Sequence, residues 1–265
     1  MQTDKIVNHI IDWLREYINT SRQKGFVLGI SGGIDSAVVS TLCAMTGFPT
    51  LCMELPIHQK SDEVSRARNH ISWLQSKFGN VISDKIDLTT TFDEFKSTVA
   101  VSEDQAKTDL ALANTRSRLR MVTLYYYAGI NHYIVAGTGN KVEDFGVGFF
   151  TKYGDGGVDI SPIGDLMKSE VYQIAAYLGI NIDIQKAVPT DGLFDNSKSD
   201  EEQIGASYPE LEWAMHKYEE GSTVEEFYGR QKEVFKIYTS RHRANLHKMI
   251  PIPICEIPMD WKVNS

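Results

Sequence analysis

The fold is decided by the segment Phe26-Val-Leu-Gly-Ile30, the turn Ser31-Gly-Gly-Ile-Asp-Ser36 and the apolar stretch AVVSTLCAM that follows them. This order predicts a strand, a tight turn and a helix. Backbone N–H groups of such a turn and the positive end of the helix can surround an anion, and Gly32 and Gly33 let the backbone approach it closely. The turn has neither the GxxxxGK[ST] spacing of a Walker A loop nor a GxGxxG fingerprint. We therefore predict a phosphate site of another class, with an ordinary turn as the alternative.

The alternation of strand and helix continues beyond the turn. Further strands are predicted at 50–55, 81–87 and 132–136. Helices are predicted at 4–19, 61–78 (with Ser61 as N-cap), 105–129 (ending at Gly129), 167–179, 199–218 and 223–240. The tail after Met249 is too rich in proline to be helical. This pattern favours an α/β fold of Rossmann-like, three-layer type with a parallel sheet, and without repeats or linkers we expect 1–265 to be a single domain.

Composition narrows the class of protein. The chain has 265 residues and a net charge of −8, which disfavours general binding to nucleic acid because such affinity comes mainly from a basic surface. No apolar run is long enough to span a membrane and no secretory signal is visible, so we expect a cytosolic (cytoplasmic) protein. Cys43, Cys52 and Cys255 lack C-x-x-C spacing, which argues against a disulfide framework or a zinc site. We interpret all three as ordinary small hydrophobic residues.

Three segments outside the predicted sheet are candidates for contact with a second subunit or with a ligand. The apolar face of helix 4–19 is broad enough to meet a second subunit, although packing against the core alone is the competing explanation. The irregular stretches 145–157 and 189–200 are rich in Gly, Asp and Ser, which is more typical of binding loops or lids than of idle connections.

Several motifs carry a resemblance to a known family. The turn 31–36 resembles the pyrophosphate loop of the ATP pyrophosphatases, which cleave ATP between the α and β phosphates. Five further blocks look like the signature segments of the ammonia-dependent NAD synthetases: Asn114–Met121, Gly137–Glu143, Gly148–Asp159 (with GFFTKYGDGG), Pro189–Leu193 and His247-Lys248. The resemblance spans about residues 5 to 250. Ser117 stands where Ala is commoner in the family.

The resemblance implies an adenine nucleotide alpha-hydrolase-like fold and assigns roles to individual residues. Implied ATP-binding residues are Gly29, Ile30, Ser31, Gly32, Gly33, Ile34, Asp35, Ser36, Thr138, Lys168 and Thr190. Implied Mg²⁺ ligands are Asp35 and Glu143, which suits a cation that takes few protein carboxylates and shares oxygens with phosphate. Implied contacts to deamido-NAD are Arg118, Lys152, Asp159, His247 and Lys248. From sequence alone, Glu143 could equally be a solvated acid, Lys168 a solvated lysine, and both threonines simple turn residues.

The implied reaction is the amidation of deamido-NAD to NAD with ATP and ammonia, through an adenylated intermediate, with release of AMP and diphosphate. Lys168 would neutralise charge on the departing pyrophosphate, and Asp159 is the candidate for removing a proton from ammonium. Free ammonia is the expected donor because the synthetase leaves no room for a glutaminase domain. The family also implies a homodimer with the substrate site at the interface. The rival hypotheses are a tRNA-modifying or GMP-forming ligase and a nucleotide sensor without turnover.

Overall fold

The sheet is parallel throughout, as predicted. In the computed structural model, which describes residues 1–59, 61–189 and 199–262, the strands are β1 (Gly25–Gly29), β2 (Thr50–Glu54), β3 (Val81–Lys85) and β4 (Tyr133–Val135). Their order is β3-β2-β1-β4, with Phe26 paired to Thr50 on one side and to Ile134 on the other. The chain therefore builds outward from β1 and then returns to its other side, which creates a switch point between β1 and β4.

Helices connect and cover the strands. Their bounds are α1 (Thr3–Ser21), α2 (Ile34–Met45), α3 (Ser61–Lys77), α4 (Thr89–Thr98), α5 (Gln105–Asn131), α6 (Lys168–Leu178), α7 (Ile182–Gln185), α8 (Asp200–Ile204), α9 (Tyr208–Glu219) and α10 (Gly229–Met249). A π-helical turn spans Lys141–Val147, and 3₁₀ turns lie at Val224–Glu226 and Met259–Trp261. None of the helices in the described ranges is long and apolar enough to cross a bilayer.

Alternate strand residues pack into different layers, because successive side chains of a strand point to opposite faces. Phe26 and Leu28 join the core formed with α1, α2, α3 and α6. Val27 and Met53 join the opposite core, where α4 and α5 cover the sheet. A further cluster packs α9 and α10 against the π-helical turn and includes Tyr208 and Tyr238. The three-layer α/β prediction is therefore confirmed.

Several predicted boundaries are wrong for identifiable reasons. Helix α5 passes Gly129 and ends before His132, which adopts the left-handed conformation at φ 59°. The single helix predicted at 199–218 is two helices, because Gly205 at φ 92° ends α8. The helix predicted at 223–240 begins only at Gly229 and continues to Met249. Helices α4 and α7 were not predicted, and Ser61 is the first helical residue of α3 rather than its N-cap.

Helix α1 buries most of its apolar face within this chain. Val7, Leu14 and Ile18 are at most 1% exposed, whereas Trp13 and Tyr17 remain more than one third exposed. Burial in the core therefore accounts for Val7, Leu14 and Ile18 but not for Trp13 and Tyr17, and contact of this face with a second subunit stays a prediction.

Two of the three cysteines are buried, as expected for small hydrophobic residues, and burial raises the pKa of Cys52 to about 12. The prediction is wrong for Cys255, which is exposed in the proline-rich tail.

His70 gives the fold a testable dependence on pH. It is 1% exposed, its Nε2 lies 2.9 Å from Ser40 Oγ, and its ring stacks on Trp73. Burial lowers the pKa of His70 from 6.5 to about 4. The unfolded chain therefore binds this proton first, so the contribution of His70 to stability is complete above pH 6.5 and is lost as the pH falls towards 4. We expect the free energy of unfolding to lose about 3 kcal/mol to this one group.

Urea denaturation between pH 7 and pH 4 measures this effect. The control is His70→Gln, which retains a group able to hydrogen-bond Ser40 but does not titrate. We expect a flatter pH profile for the variant, and superimposable profiles would contradict the assignment.

Candidate active site

A buried ion cluster lies at the carboxyl edge of the sheet, at the switch point between β1 and β4. Lys168 Nζ lies 2.6 Å from Asp35 Oδ2 and 2.9 Å from Glu143 Oε1. Asp35 lies in the first turn of α2, Glu143 in the π-helical turn after β4, and Lys168 is the first residue of α6. Lys168 is only 2% exposed, so its interpretation as a solvated surface lysine is wrong. We call these three residues the Asp35–Lys168–Glu143 centre.

The electrostatics of this centre keep its lysine charged. Burial disfavours the ammonium form, but the two carboxylates outweigh burial and raise the pKa of Lys168 above its usual range. Burial also acts against the ionised form of Glu143, yet Lys168 and the hydroxyl of Tyr208 lower its pKa below the usual value. A permanent positive charge therefore lies beside an ionised carboxylate in a site largely screened from water.

Hydrogen bonds within the Ser/Gly turn fix its conformation where it lines the pocket. The hydroxyls of Ser31 and Ser36 are 3.1 Å apart, Gly33 N donates to Ser31 Oγ, and Ser36 Oγ donates to Gly33 O. Gly32 adopts φ 83°, where an L side chain is strained. The turn after β4 meets this turn, since Asn140 Nδ2 donates to Asp35 Oδ1 at 3.3 Å. Two loops from neighbouring strands thus form one edge of the site.

A pocket of about 300 Å³ opens above the centre. The predicted ATP-binding residues Gly29, Ile30, Ser31, Gly32, Gly33, Ile34, Asp35, Thr138 and Lys168 all line it. Ser36 is buried behind the turn, where its hydroxyl supports Ser31. Thr190 lies outside the described residues, as does most of the predicted loop 189–200.

The two carboxylates of the centre fit a magnesium site in which the protein supplies only part of the ligands. Asp35 and Glu143 approach the same cation, the ammonium of Lys168, from two elements. Across the described parts of the chain, no group of three or more His, Cys, Asp or Glu side chains is placed to hold a metal. A cation held here would need further oxygens, and Mg²⁺ commonly takes these from substrate phosphates and water. The donor set therefore fits Mg²⁺ that arrives with a nucleotide.

Four of the residues predicted to bind deamido-NAD come together outside the pocket. Arg118 donates to Lys152 O at 3.3 to 3.4 Å, and Lys152 Nζ donates to His247 O at 2.6 Å. Lys248 Nζ donates to Phe150 O at 2.7 Å and also to Gly148 O. These hydrogen bonds connect the end of the π-helical turn, loop 148–157 and the end of α10, which together form one basic surface beside α5.

Asp159 lies apart from the other four residues, and both of its carboxylate oxygens have partners. Tyr125 OH donates to Oδ1 at 2.9 Å, and Val135 N donates to Oδ2 at 2.8 Å. Tyr125 is two helical turns from Arg118 on α5, so Asp159 and the basic surface lie along one side of that helix. The hydrogen bonds show Asp159 fastening the chain after β4 to α5.

Sequence reasoning missed several residues that shape the site. Asp155 lines the pocket, and its carboxylate accepts from Ser117 Oγ at 2.6 Å, so the serine that departs from the family pattern fastens loop 148–157 to α5. Arg120 also lines the pocket and donates to Leu55 O at 3.0 Å. Tyr208 OH donates to Glu143 Oε1 at 2.5 Å. No local sequence signal marks Tyr208, because it reads only as the start of a helix.

Comparisons with known proteins identify the family of this chain. The sequence model of the family described as NAD synthase matches residues 6–251. The chain is 35% identical to the NH(3)-dependent NAD(+) synthetase of Carboxydothermus hydrogenoformans, over 97% of each chain. It is 36% identical to that of Archaeoglobus fulgidus, over 97% of this chain and 98% of the relative.

Two solved structures share the fold over nearly the whole chain. The NMN synthetase from Francisella tularensis superimposes with a TM-score of 0.83 at 28% identity, over 97% of this chain and 100% of that one. The NH3-dependent NAD synthetase from Campylobacter jejuni superimposes with a TM-score of 0.77 at 26% identity, over the same shares. Sequence match, fold and the residues at the switch point lead to one conclusion: the chain belongs to the NAD synthase family.

Proposed function

We propose that this protein is an ammonia-dependent NAD(+) synthetase, a ligase that converts deamido-NAD to NAD with ATP and ammonia. The observation that carries the proposal is the Asp35–Lys168–Glu143 centre beneath a Ser/Gly turn at the switch point. It provides a turn for anionic phosphates and a buried cation for the charge that develops on them. Relatives with this name match the chain over almost their full length.

The first step forms the acyl adenylate. The nicotinate carboxylate attacks the α-phosphorus of ATP, a new P–O bond forms, and the bond to the β-phosphate oxygen breaks to release diphosphate. Backbone N–H groups of turn 31–36 bind the phosphates, and Lys168 neutralises the charge on the leaving diphosphate. Asp35 and Glu143 would hold Mg²⁺, which supplies further charge neutralisation when it is bound.

The second step forms the amide. Ammonia attacks the adenylated carbonyl, AMP departs with the electron pair of the broken C–O bond, and one proton is lost from nitrogen. The basic surface of Arg118, Lys152, His247 and Lys248 is suited to the anionic groups of deamido-NAD. Asp159 stays our candidate for the group that removes a proton from ammonium to give ammonia, and the hydrogen bonds from Tyr125 and Val135 leave a lone pair on each of its carboxylate oxygens.

Product analysis tests the reaction directly. Purified protein is incubated with MgATP, ammonium and deamido-NAD, and NAD and AMP are followed by chromatography. We expect equal amounts of both products, and none when the acceptor is omitted.

Two competing acceptors are tested in parallel. Nicotinate mononucleotide is included because of the likeness to an NMN synthetase, and xanthosine monophosphate represents the GMP-forming ligases. Amide formation only on one of these would reject deamido-NAD as the acceptor while keeping the phosphate site. ATP binding without diphosphate release on any acceptor would favour a nucleotide sensor.

We further propose that 1–265 act as one synthetase domain and that two copies form a homodimer through α5. This helix exposes Val122, Tyr126 and Ile130, which follow one another at i, i+4 spacing on one face, by 58 to 64%. Val122 lies one turn from Arg118, so a partner seated there would border the proposed deamido-NAD surface. Large exposed apolar patches are typical of interaction sites. The cytoplasmic location expected from the sequence stays a prediction.

Light scattering after size-exclusion chromatography tests the homodimer. The double variant Val122→Glu/Ile130→Glu is expected to be monomeric and to bind deamido-NAD less tightly. Tyr177→Glu, an equally exposed site on α6, is the control and should stay dimeric. A wild-type monomer, or a dimer that survives the double substitution, would reject α5 as the interface.

A further inference from the structure

Tyr208 contacts two residues of the Asp35–Lys168–Glu143 centre, Glu143 and Lys168. Its hydroxyl lies 2.5 Å from Glu143 Oε1, and its ring centroid lies 4.9 Å from Lys168 Nζ. The side chain is only 5% exposed. We infer that Tyr208 is a positioning residue that holds the Glu143 carboxylate in the orientation needed for MgATP, an inference that rests on the proposed function.

The hydroxyl is needed because the terminal torsion of a glutamate side chain is broad and has no strong preference of its own. Tyr208 OH and Lys168 Nζ both donate to the same oxygen, Glu143 Oε1. Two donors on one oxygen restrict rotation of the carboxylate while leaving its charge in place, since a neutral phenol donates without transferring its proton. Partners of this kind, one shell behind a metal ligand, orient the ligand and tune its basicity.

The aromatic ring acts on the lysine. An ammonium near the face of an aromatic ring is attracted to it, and the ring excludes water from that side. The ring therefore helps to hold the ammonium group of Lys168 beside its two carboxylates, at the floor of the pocket. Hydroxyl and ring make separate contacts, so a substitution by phenylalanine removes the first and keeps the second.

The backbone around Tyr208 explains why its side chain reaches the centre. Ser207 and Glu210 form a capping box at the start of α9. Tyr208 N donates to Glu201 Oε1 at 2.8 Å, which fixes the residue against α8. The hydroxyl of Tyr208 also lies 3.3 Å from Asp200 Oδ2, and Asp200 is the first residue of α8. The orientation of Glu143 therefore depends on the packing of α8 and α9.

Steady-state kinetics of Tyr208→Phe give the first test. We expect kcat to fall about tenfold or more, the scale for one hydrogen bond to a charged group, with KM for deamido-NAD changed less than twofold. The matched control is Tyr238→Phe, which alters a 1%-exposed tyrosine in the same helical cluster and should retain wild-type turnover. Melting temperatures of the two variants show whether a difference reflects folding alone.

Calorimetry gives a readout that does not need turnover. Binding of α,β-methylene-ATP is measured with and without Mg²⁺. The ratio of the two affinities gives the gain that Mg²⁺ provides, and we expect this ratio to be about tenfold smaller for Tyr208→Phe than for the wild type. A double-mutant cycle adds Glu143→Gln, on which Tyr208→Phe should change this affinity less than twofold. An unchanged Mg²⁺ gain, or additive effects in the cycle, would overturn the inference. A wild-type protein that makes no NAD would reject the proposed function, while the calorimetry would still decide the role of Tyr208.

Discussion

Replacement of Lys168 by alanine is expected to lower kcat by about 10²-fold, the scale for removing one preorganised electrostatic group. The lysine contacts Asp35 and Glu143 at 2.6 and 2.9 Å and is 2% exposed, so solvent cannot supply the missing charge. Its loss also leaves two carboxylates facing each other without their counterion. We therefore expect the free energy of unfolding to fall by about 3 kcal/mol as well.

Two measurements separate these effects. Turnover is measured at saturating substrates, so weak binding does not mask the chemical step, and urea denaturation gives the stability. The control is Lys217→Ala, which breaks an exposed ion pair with Glu220 and should cost no more than about 1 kcal/mol. Near-wild-type turnover of Lys168→Ala at saturation would exclude the assigned role.

The second large effect is expected for Gly32→Ala. Gly32 adopts φ 83°, and an added Cβ would lie 2.6 Å from the backbone oxygen of Glu63 and 3.1 Å from the backbone nitrogen of Ala67. Both atoms belong to α3, which cannot move without disturbing the core. Backbone strain and overpacking together predict a loss of about 3 kcal/mol in the free energy of unfolding. The displaced turn should also bind MgATP at least about tenfold more weakly, because its N–H groups would no longer converge on the phosphates.

Two other glycines serve as controls for this substitution. Gly47 has φ 85° but nothing within 4 Å of an added Cβ, so Gly47→Ala isolates the backbone strain of about 1 to 2 kcal/mol. Gly79 has open space and no positive φ, so Gly79→Ala should be neutral. Thermal denaturation and calorimetry with MgATP would contradict the argument if Gly32→Ala behaved like Gly79→Ala.

Local patterns succeeded where the cause of the structure is itself local. The apolar run before the turn at 31–36 forms β1, because an apolar segment bounded by a Ser/Gly turn has few alternatives. The same reasoning failed at Gly129, which lies inside α5, because the left-handed conformation was taken up three residues later by His132. It also failed to divide 199–218, where Gly205 ends one helix and a capping box starts the next.

The sequence by itself determined the parallel α/β architecture, the strand, Ser/Gly turn and helix that begin it, and the family, because periodicity, turn chemistry and motif spacing are encoded within short segments. The tertiary structure alone decided that Lys168 is a buried counterion rather than a solvated lysine, since its partner Asp35 is 133 residues away. It likewise decided that Tyr208 reaches Glu143 across 65 residues and that Asp159 is bonded to α5. Such contacts depend on how β1, β4 and the later helices pack together, and no pattern within a single segment specifies that packing.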